Sequence, residues 1–404
     1  MRALYISYDG MTDPLGRSQV LPYLQGLAAR GHDITLLSCE KPDRIAADGA
    51  GVRAICDAAG IDWQPVAWHK SPPILSGIID VAALKHNAAR LHDAKRFDLV
   101  HCRSYMAAIA GDWLKRKRRV PFLFDMRGFW ADERVERDIW PARNPLFRAA
   151  YAYFKRLEKR LFGAADAIVS LTHNARREIE DWPPDRRPTA PITVIPCCVD
   201  LTLFNDRKGR AAIRKKLGIA PKASVLLYVG SVGGAYLMDE MFALFRAYRK
   251  LRPGARFLFV SGHPREEIQR LAYGIDPIEL VVASAKRDEV PALIAAADLG
   301  VSFILATYSA KASCPTKFGE MLAMGIPVIA NPGVGDIADI VRETGAGAIV
   351  GRYDEASLTK AIIRAEAAAK DPALVRAAAE RYFALETGID RYDAIYREIG
   401  RKAA

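Results

Sequence analysis

The sequence predicts an α/β protein made of two parallel-sheet domains. Three observations carry this reading. Short apolar segments alternate with helical stretches from the first residue, the pattern of strand–helix–strand units. At 404 residues the chain is too long for one ordinary hydrophobic core. The alternation also pauses near Pro196 and restarts at residues 224–229, as a second domain would.

In the first half, residues 2–7 and 34–38 read as strands around a helix near 18–30. Residues 99–102, 122–125, 167–171 and 193–195 read as further strands, and 147–162 as a basic amphipathic helix. The turn Pro196-Cys197-Cys198-Val199-Asp200 leads out of this domain. Strands of the second domain fall at 224–229, 257–261, 278–282, 299–303, 328–330 and 348–350. The tail, 373–399, reads as helical, with Tyr382, Phe383, Tyr392 and Tyr396 as a candidate packing seam. The domain limits are placed at 1–204 and 205–383, with a C-terminal helix at about 384–404.

Composition narrows the function. A hydrophobic fraction of 50% and a charged fraction of 26% suit a soluble globular protein. No apolar run reaches the ~18 residues of a membrane-spanning helix. The opening Met1–Tyr8 run reads as a first buried strand and not as a signal peptide. The six cysteines show no C-x-x-C spacing, which fits free thiols in a reducing cytoplasm. The seven histidines lack metal-ligand spacing, so no metal and no cofactor is expected. The net charge of +12 divides evenly, +6 in residues 1–205 and +6 in the rest. Without a basic tail, nucleic acid is not the expected partner. The run Lys115-Arg116-Lys117-Arg118-Arg119 reads as a loop, either solvated or touching anionic lipid headgroups.

The densest functional signal is the segment 313–330. Ser313 or Thr316 can cap a helix whose first turn suits Pro315, and Gly325 with Pro327 ends it. Such an N-terminus offers unpaired N–H groups and a positive dipole to a phosphate. Lys317 adds a charge that opposes the helix and favours a bound anion. Glu320, one turn on, is placed to accept from ribose hydroxyls. An ordinary capped helix leading into a strand is the structural alternative.

Other candidates sit where strands end, the usual ligand edge of an α/β sheet. In the loop 9–19, Gly16 lets backbone approach closely, Ser18 can cap the following helix, and Arg17 adds a cation. Residues 124–134 bring Asp125, Arg127, Asp132 and Glu133 beside Phe129 and Trp130, a mixture suited to a sugar face and its hydroxyls. A salt-bridge cluster is the plain alternative there. His101, Arg103 and Thr172-His173-Asn174 follow other strands. In the second half, Gly230, Ser231 and Gly233 form a glycine-rich strand-to-helix loop of the phosphate-approaching kind. Ser261-Gly262-His263 and Ser284-Ala285-Lys286-Arg287 end strands where a nucleotide base would lie.

These motifs resemble those of the retaining glycosyltransferases of family GT4. The match lies in Glu320-Met321-Leu322-Ala323-Met324-Gly325-Ile326-Pro327-Val328, in the Ser313-x-Pro315-x-Lys317 pattern before it, and in Pro196–Asp200 followed by Phe204. The resemblance implies a GT-B fold: two Rossmann-like domains facing a central cleft, with the C-terminal helix crossing back to the first. It implies an acceptor-binding N-terminal domain and a donor-binding C-terminal one. It further implies transfer of a sugar from a nucleotide-diphosphate donor with retention. On this reading Gly16, Arg17, Gly230, Ser231, Gly233, Gly262, Ser313, Pro315, Thr316, Lys317 and Glu320 bind donor. Asp125, Arg127 and Glu133 are the catalytic candidates. The acceptor is expected to be a glycan or lipid-linked precursor of the bacterial envelope, with the enzyme cytoplasmic or peripheral on the inner face of the membrane. Three departures stand out. Ala312 replaces the first Glu of the family pattern, Ser231 replaces a diphosphate-binding Arg, and Asp125 replaces a His. A GT-B epimerase, a sucrose- or glycogen-type synthase and a catalytically weak binding subunit are the rival readings.

Overall fold

The computed structural model describes residues 1–72, 74–205 and 207–403. The chain divides into two compact units, one comprising Met1–Pro196 and the segment from Leu385 onward, the other Cys197–Ala384.

The first unit holds a seven-stranded, all-parallel sheet. Its strands are β1 (Arg2–Ser7), β2 (Asp33–Glu40), β3 (Asp62–Ala67), β4 (Leu99–Arg103), β5 (Phe122–Asp125), β6 (Ala167–Ser170) and β7 (Ile192–Val194). They lie in the order β3-β2-β1-β4-β5-β6-β7. The chain therefore builds outward from β1 to β3, then returns to the other side of β1. That reversal leaves a crevice beyond the carboxyl ends of β1 and β4, where α/β sheets bind ligands. The register places Ser7 beside Arg103 and Arg103 beside Asp125 along this edge.

The second unit repeats the plan with six parallel strands. These are β8 (Val225–Val229), β9 (Arg256–Val260), β10 (Leu280–Ala283), β11 (Leu299–Ser302), β12 (Val328–Ala330) and β13 (Gly347–Ile349). Their order, β10-β9-β8-β11-β12-β13, puts the reversal between β8 and β11. Strands buried on both faces read as continuous apolar runs, as β8 (VLLYV) and β12 (VIA) do.

Several local expectations need correction. The stretch 18–30 is two helices, Pro14–Gln19 and Leu21–Ala29, separated at Val20. Pro14 and Pro22 each sit at a helix start, where a missing N–H does no harm. Ser18 therefore lies inside the first helix and bonds back to the Pro14 carbonyl instead of capping. Strand β3 carries no clear strand signal in the sequence, because Asp62, Gln64 and Pro65 interrupt its apolar pattern.

The cationic run is helical through Arg118, with Arg119 left-handed at its C-cap. Lys115, Arg116 and Arg118 pair with Asp166, Asp112 and Asp93, and as cations at a helix C-terminus they favour the dipole. The aromatic tail is shared between the units. Phe383 packs on Phe318 in the second, while Tyr392 and Tyr396 are buried in the first. The division between units falls at Pro196–Cys197, earlier than expected. Val199 and Phe204, both fully buried, belong to the core of the second unit.

Candidate functional site

Each unit presents its own polar constellation at its sheet reversal. In the second unit, two loops flank the carboxyl ends of β8 and β11. The first is Gly230–Leu237. Gly233 and Gly234 have φ of 78° and 64°, backbone that side chains resist. At Gly230 a Cβ would come within 2.7 Å of the Tyr228 hydroxyl, which donates to the Ser231 carbonyl. Ser231 itself is exposed, and Gly262, after β9, faces open space. The second loop follows β11. Its backbone joins the first through Leu305 N–H to the Ala235 carbonyl and Leu237 N–H to the Phe303 carbonyl. Asn331, buried at the end of β12, exchanges two hydrogen bonds with Ile304 and fixes where this loop departs.

That loop delivers the helix Thr316–Ala323. Its N-cap is Pro315, and no side chain caps it. Ser313, expected as a possible cap, instead closes the preceding 3₁₀ turn with its N–H on the Ala310 carbonyl. Thr316 is the first helical residue. No side chain takes up the N–H groups of Thr316 and Lys317, as anion binding requires, while the Phe318 N–H already bonds the Pro315 carbonyl.

Glu320, expected to accept from ribose hydroxyls, is fully buried. One oxygen pairs with Lys317 at 2.8 Å and the other with Arg287. Arg287 lies over the Phe204 ring, 4.8 Å from its centroid. The carboxylate thus gathers two half-buried cations beside an uncapped helix start. Ala312 is buried and presents only a methyl group. Arg287 stood in the sequence as a residue near a base. Its position on Glu320 depends on β10 lying at the sheet edge, which no local pattern discloses.

In the first unit, Glu40 organises the loop after β1. It accepts from the Met11 and Thr12 N–H groups, from the Thr12 hydroxyl and from Ser38. Gly16 packs so tightly on the Gly10–Met11 backbone that a Cβ would fall 2.3 Å from the Gly10 carbonyl oxygen. Arg17 pairs with Asp48, so its charge is already engaged.

Asp125 is only 1% exposed. It accepts from Tyr392 at 3.0 Å, while Arg127 lies at 3.6 Å and His101 at 3.9 Å. Burial alone would raise its carboxyl; Arg127, His101 and Arg103 outweigh that and hold it below the usual carboxylate range. Burial pushes the His101 imidazole down, so it is neutral at pH 7. Arg127 occupies left-handed backbone, with φ of 60°, a strain that tends to collect at functional edges.

The remaining candidates disperse. Glu133 pairs along its own helix with Arg137, and Asp132 is taken by Lys155 and Tyr151. Phe129, expected against a sugar, is fully buried against Trp182. Arg134 does not pair with Asp125 but stacks on Trp130. Thr172 caps the helix that begins at His173.

Two family models cover most of the chain. Residues 17–198 match the glycosyl transferase 4-like domain, and 223–367 match the glycosyl transferases group 1. The D-inositol 3-phosphate glycosyltransferase of Kineococcus radiotolerans is 30% identical over 80% of this chain and 74% of its own length. The chain belongs to the GT4 glycosyltransferases. Solved structures agree on the fold of this glycosyltransferase. A sucrose-phosphate synthase from Thermosynechococcus elongatus superposes with a TM-score of 0.71 at 16% identity, covering 98% of both chains. HepE of Anabaena, solved in complex with UDP and glucose, gives 0.68 at 14% identity, covering 98% of this chain and 99% of its own. The fold is GT-B, with the two parallel sheets of this glycosyltransferase as its two Rossmann-like halves.

Proposed function

We propose that this glycosyltransferase moves a sugar from a nucleoside-diphosphate donor to an acceptor with retention of anomeric configuration. The second unit holds the donor, and the first unit holds the acceptor. The observation that carries this is the Lys317–Glu320–Arg287 arrangement at the uncapped start of the Thr316–Ala323 helix. A diphosphate there meets open N–H groups, a helix dipole and two cations whose positions Glu320 sets. Ser313, Pro315 and Thr316 shape the approach, and Gly230, Ser231, Gly233 and Gly262 line the neighbouring loops. Ser231 supplies no cation, so Lys317 and Arg287 carry the charge. When the glycosidic bond breaks, negative charge grows on the diphosphate, and preset donors stabilise it without reorganising. The leaving diphosphate can itself take the acceptor's proton, so the protein chiefly positions and neutralises. Arg127 and Asp125, with Glu133 further along, contribute electrostatics on the acceptor side.

We read the acceptor as a lipid-linked glycan precursor of the bacterial envelope. Exposed Leu146 and Tyr153, beside exposed Arg148 and Arg156 on the helix Pro145–Ala164, support work at an anionic membrane surface. A thermal-shift panel of UDP, GDP and ADP sugars tests the donor reading. One base series should raise the melting temperature in a saturable way. No response to any of them would overturn it and favour a binding subunit.

A further inference from the structure

The second unit begins at Cys197, and residues 197–205 are tied to the Thr316–Ala323 helix at its start, its middle and its end. At the start, the Cys197 N–H donates to Sγ of Cys314 across 3.3 Å, just before the helix. In the middle, the Val199 N–H donates to the Phe383 carbonyl at 2.7 Å, and both side chains lie against the helix. A Cβ on Gly319 would come within 3.0 Å of Val199 Cγ2 and 3.1 Å of Phe383 Cγ. At the end, Nη1 of Arg376 donates to the Ala323 carbonyl at 2.7 Å and to the Phe204 carbonyl at 2.8 Å. Its Nη2 reaches the Leu201 carbonyl at 3.3 Å.

This entry segment is itself ordered. Asp200 accepts from the Thr202 N–H at 2.9 Å and from the Thr202 hydroxyl at 2.6 Å, which fixes a turn. Phe204 is fully buried and carries the Arg287 guanidinium over its ring. The last carbonyls of a helix lack intrahelical partners, and a cation beside them favours the dipole. Arg376 supplies that cation and joins the helix end to the entry segment with the same guanidinium. Glycine weakens a helix interior, and Gly319 is where Val199 and Phe383 approach the backbone most closely. The helix is thus gripped along its length by groups outside its N-terminal turn.

We propose that Cys314 and Arg376 are positioning residues for the donor diphosphate. They fix the two ends of the helix against residues 197–205 without touching the ligand, a role that rests on the second unit holding the donor. Backbone N–H groups serve a phosphate only at hydrogen-bond distance, about 2.7–3.2 Å, so a small displacement of the helix start costs affinity. The Cys314 sulfur sets that start through the Cys197 N–H. Arg376 sets the other end.

Calorimetry with UDP, GDP and ADP, each beside its nucleoside, tests this on the wild type, Cys314→Val, Cys314→Ser and Arg376→Gln. Valine fills the space of the thiol but accepts no hydrogen bond, whereas serine restores an acceptor. Cys314→Val should weaken binding of the preferred diphosphate about fivefold and leave its nucleoside unchanged, and Cys314→Ser should recover most of the loss. Arg376→Gln should also lose about fivefold for the diphosphate alone; if it fails to fold, the Cys314 pair decides. Wild-type affinity in Cys314→Val, equal losses in the valine and serine variants, or parallel losses for diphosphate and nucleoside would overturn the positioning role. Hydrogen–deuterium exchange of residues 316–319 without ligand judges the tie apart from the donor reading. Exchange should quicken in Cys314→Val and return to the wild-type rate in Cys314→Ser, and equal rates in all three would overturn the tie. A wild type that binds none of the nucleotides, with this exchange pattern intact, would sink the donor reading and leave Cys314 holding the helix.

Discussion

Tyr392 donates its phenolic hydrogen to Oδ2 of Asp125 across 3.0 Å, joining the C-terminal helix to β5 over 267 residues of sequence. The helix is further held by Tyr396, whose hydroxyl meets His101 Nδ1 at 2.9 Å, and by Arg30 on Glu386 and Asp390. The end of the chain thus closes the polar core of the first unit beneath Arg127.

Asp125→Asn should therefore lower stability as well as activity. The carboxylate is buried, accepts from Tyr392 and lies beside Arg127. Losing its charge should remove about 2 kcal/mol. Tyr392→Phe, which deletes only the hydroxyl, should give about 1 kcal/mol and leave kcat nearly intact. Denaturant unfolding alongside kcat for both variants checks this. A fall in kcat for Asp125→Asn with unchanged stability would make Asp125 a direct participant in the chemistry.

The same cluster should make the first unit acid-sensitive. His101 faces Tyr5, Tyr392, Tyr396, Asp125, Arg103 and Arg127, and burial lowers its pKa. In the unfolded chain it binds a proton near pH 6.5, while the folded form does not. Stability is then complete above pH 6.5 and declines as pH falls through that value, by at most about 1.4 kcal/mol per pH unit. Asp125, depressed in the fold, adds its own loss only below about pH 4. His101→Gln should flatten the stability profile between pH 6.5 and 5, measured by urea unfolding at each pH. An unchanged profile would show that His101 does not set it.

Much of this architecture was legible because both sheets are parallel and most of their strands are buried apolar runs, β3 with its Asp62, Gln64 and Pro65 being an exception. The start of the Thr316–Ala323 helix was also legible, from Pro315, Lys317 and Glu320 in order. The pairings of those charges were not. Glu320 was assigned to a ribose because its helical face could be read, but Arg287 reaches it from 33 residues away through the placement of β10. Asp125 looked like a cleft residue because it ends a strand. The tyrosines that bury it come from the far end of the chain, and only the tertiary fold brings them there. Phe129 and Trp130, adjacent in sequence, part ways because successive positions at a helix start point in different directions.

Glu320→Gln should impair nucleotide binding and also reduce stability, because the residue is buried and holds two cations. Lys317 and Arg287 keep some solvent contact, so the loss should be modest, about 1–3 kcal/mol. Calorimetric nucleotide binding and unfolding of the same preparation check both halves. Wild-type affinity with wild-type stability would remove Glu320 from the site.

Lys317→Ala and Arg287→Ala should separate diphosphate from nucleoside recognition. Both side chains lean on Glu320, and the loop holding Ser231 brings no guanidinium to the same place. Each alanine should weaken nucleoside-diphosphate binding at least tenfold, while binding of the matching nucleoside changes little. The two losses should not add. Removing either cation relaxes the shared carboxylate onto the other, so the double variant should lose less than the sum of the singles. Because these cations and the helix N-terminus can neutralise a diphosphate between them, turnover should persist in EDTA for the wild type. In Lys317→Ala, added Mg²⁺ should restore part of the lost activity by replacing the missing charge. Calorimetry on the four proteins with diphosphate and nucleoside, together with turnover with and without Mg²⁺, decides the matter. Equal losses for diphosphate and nucleoside would show that these residues shape the pocket without touching phosphate. Complete loss of wild-type turnover in EDTA, restored by Mg²⁺, would show that the metal, and not this pair of cations, balances the leaving group.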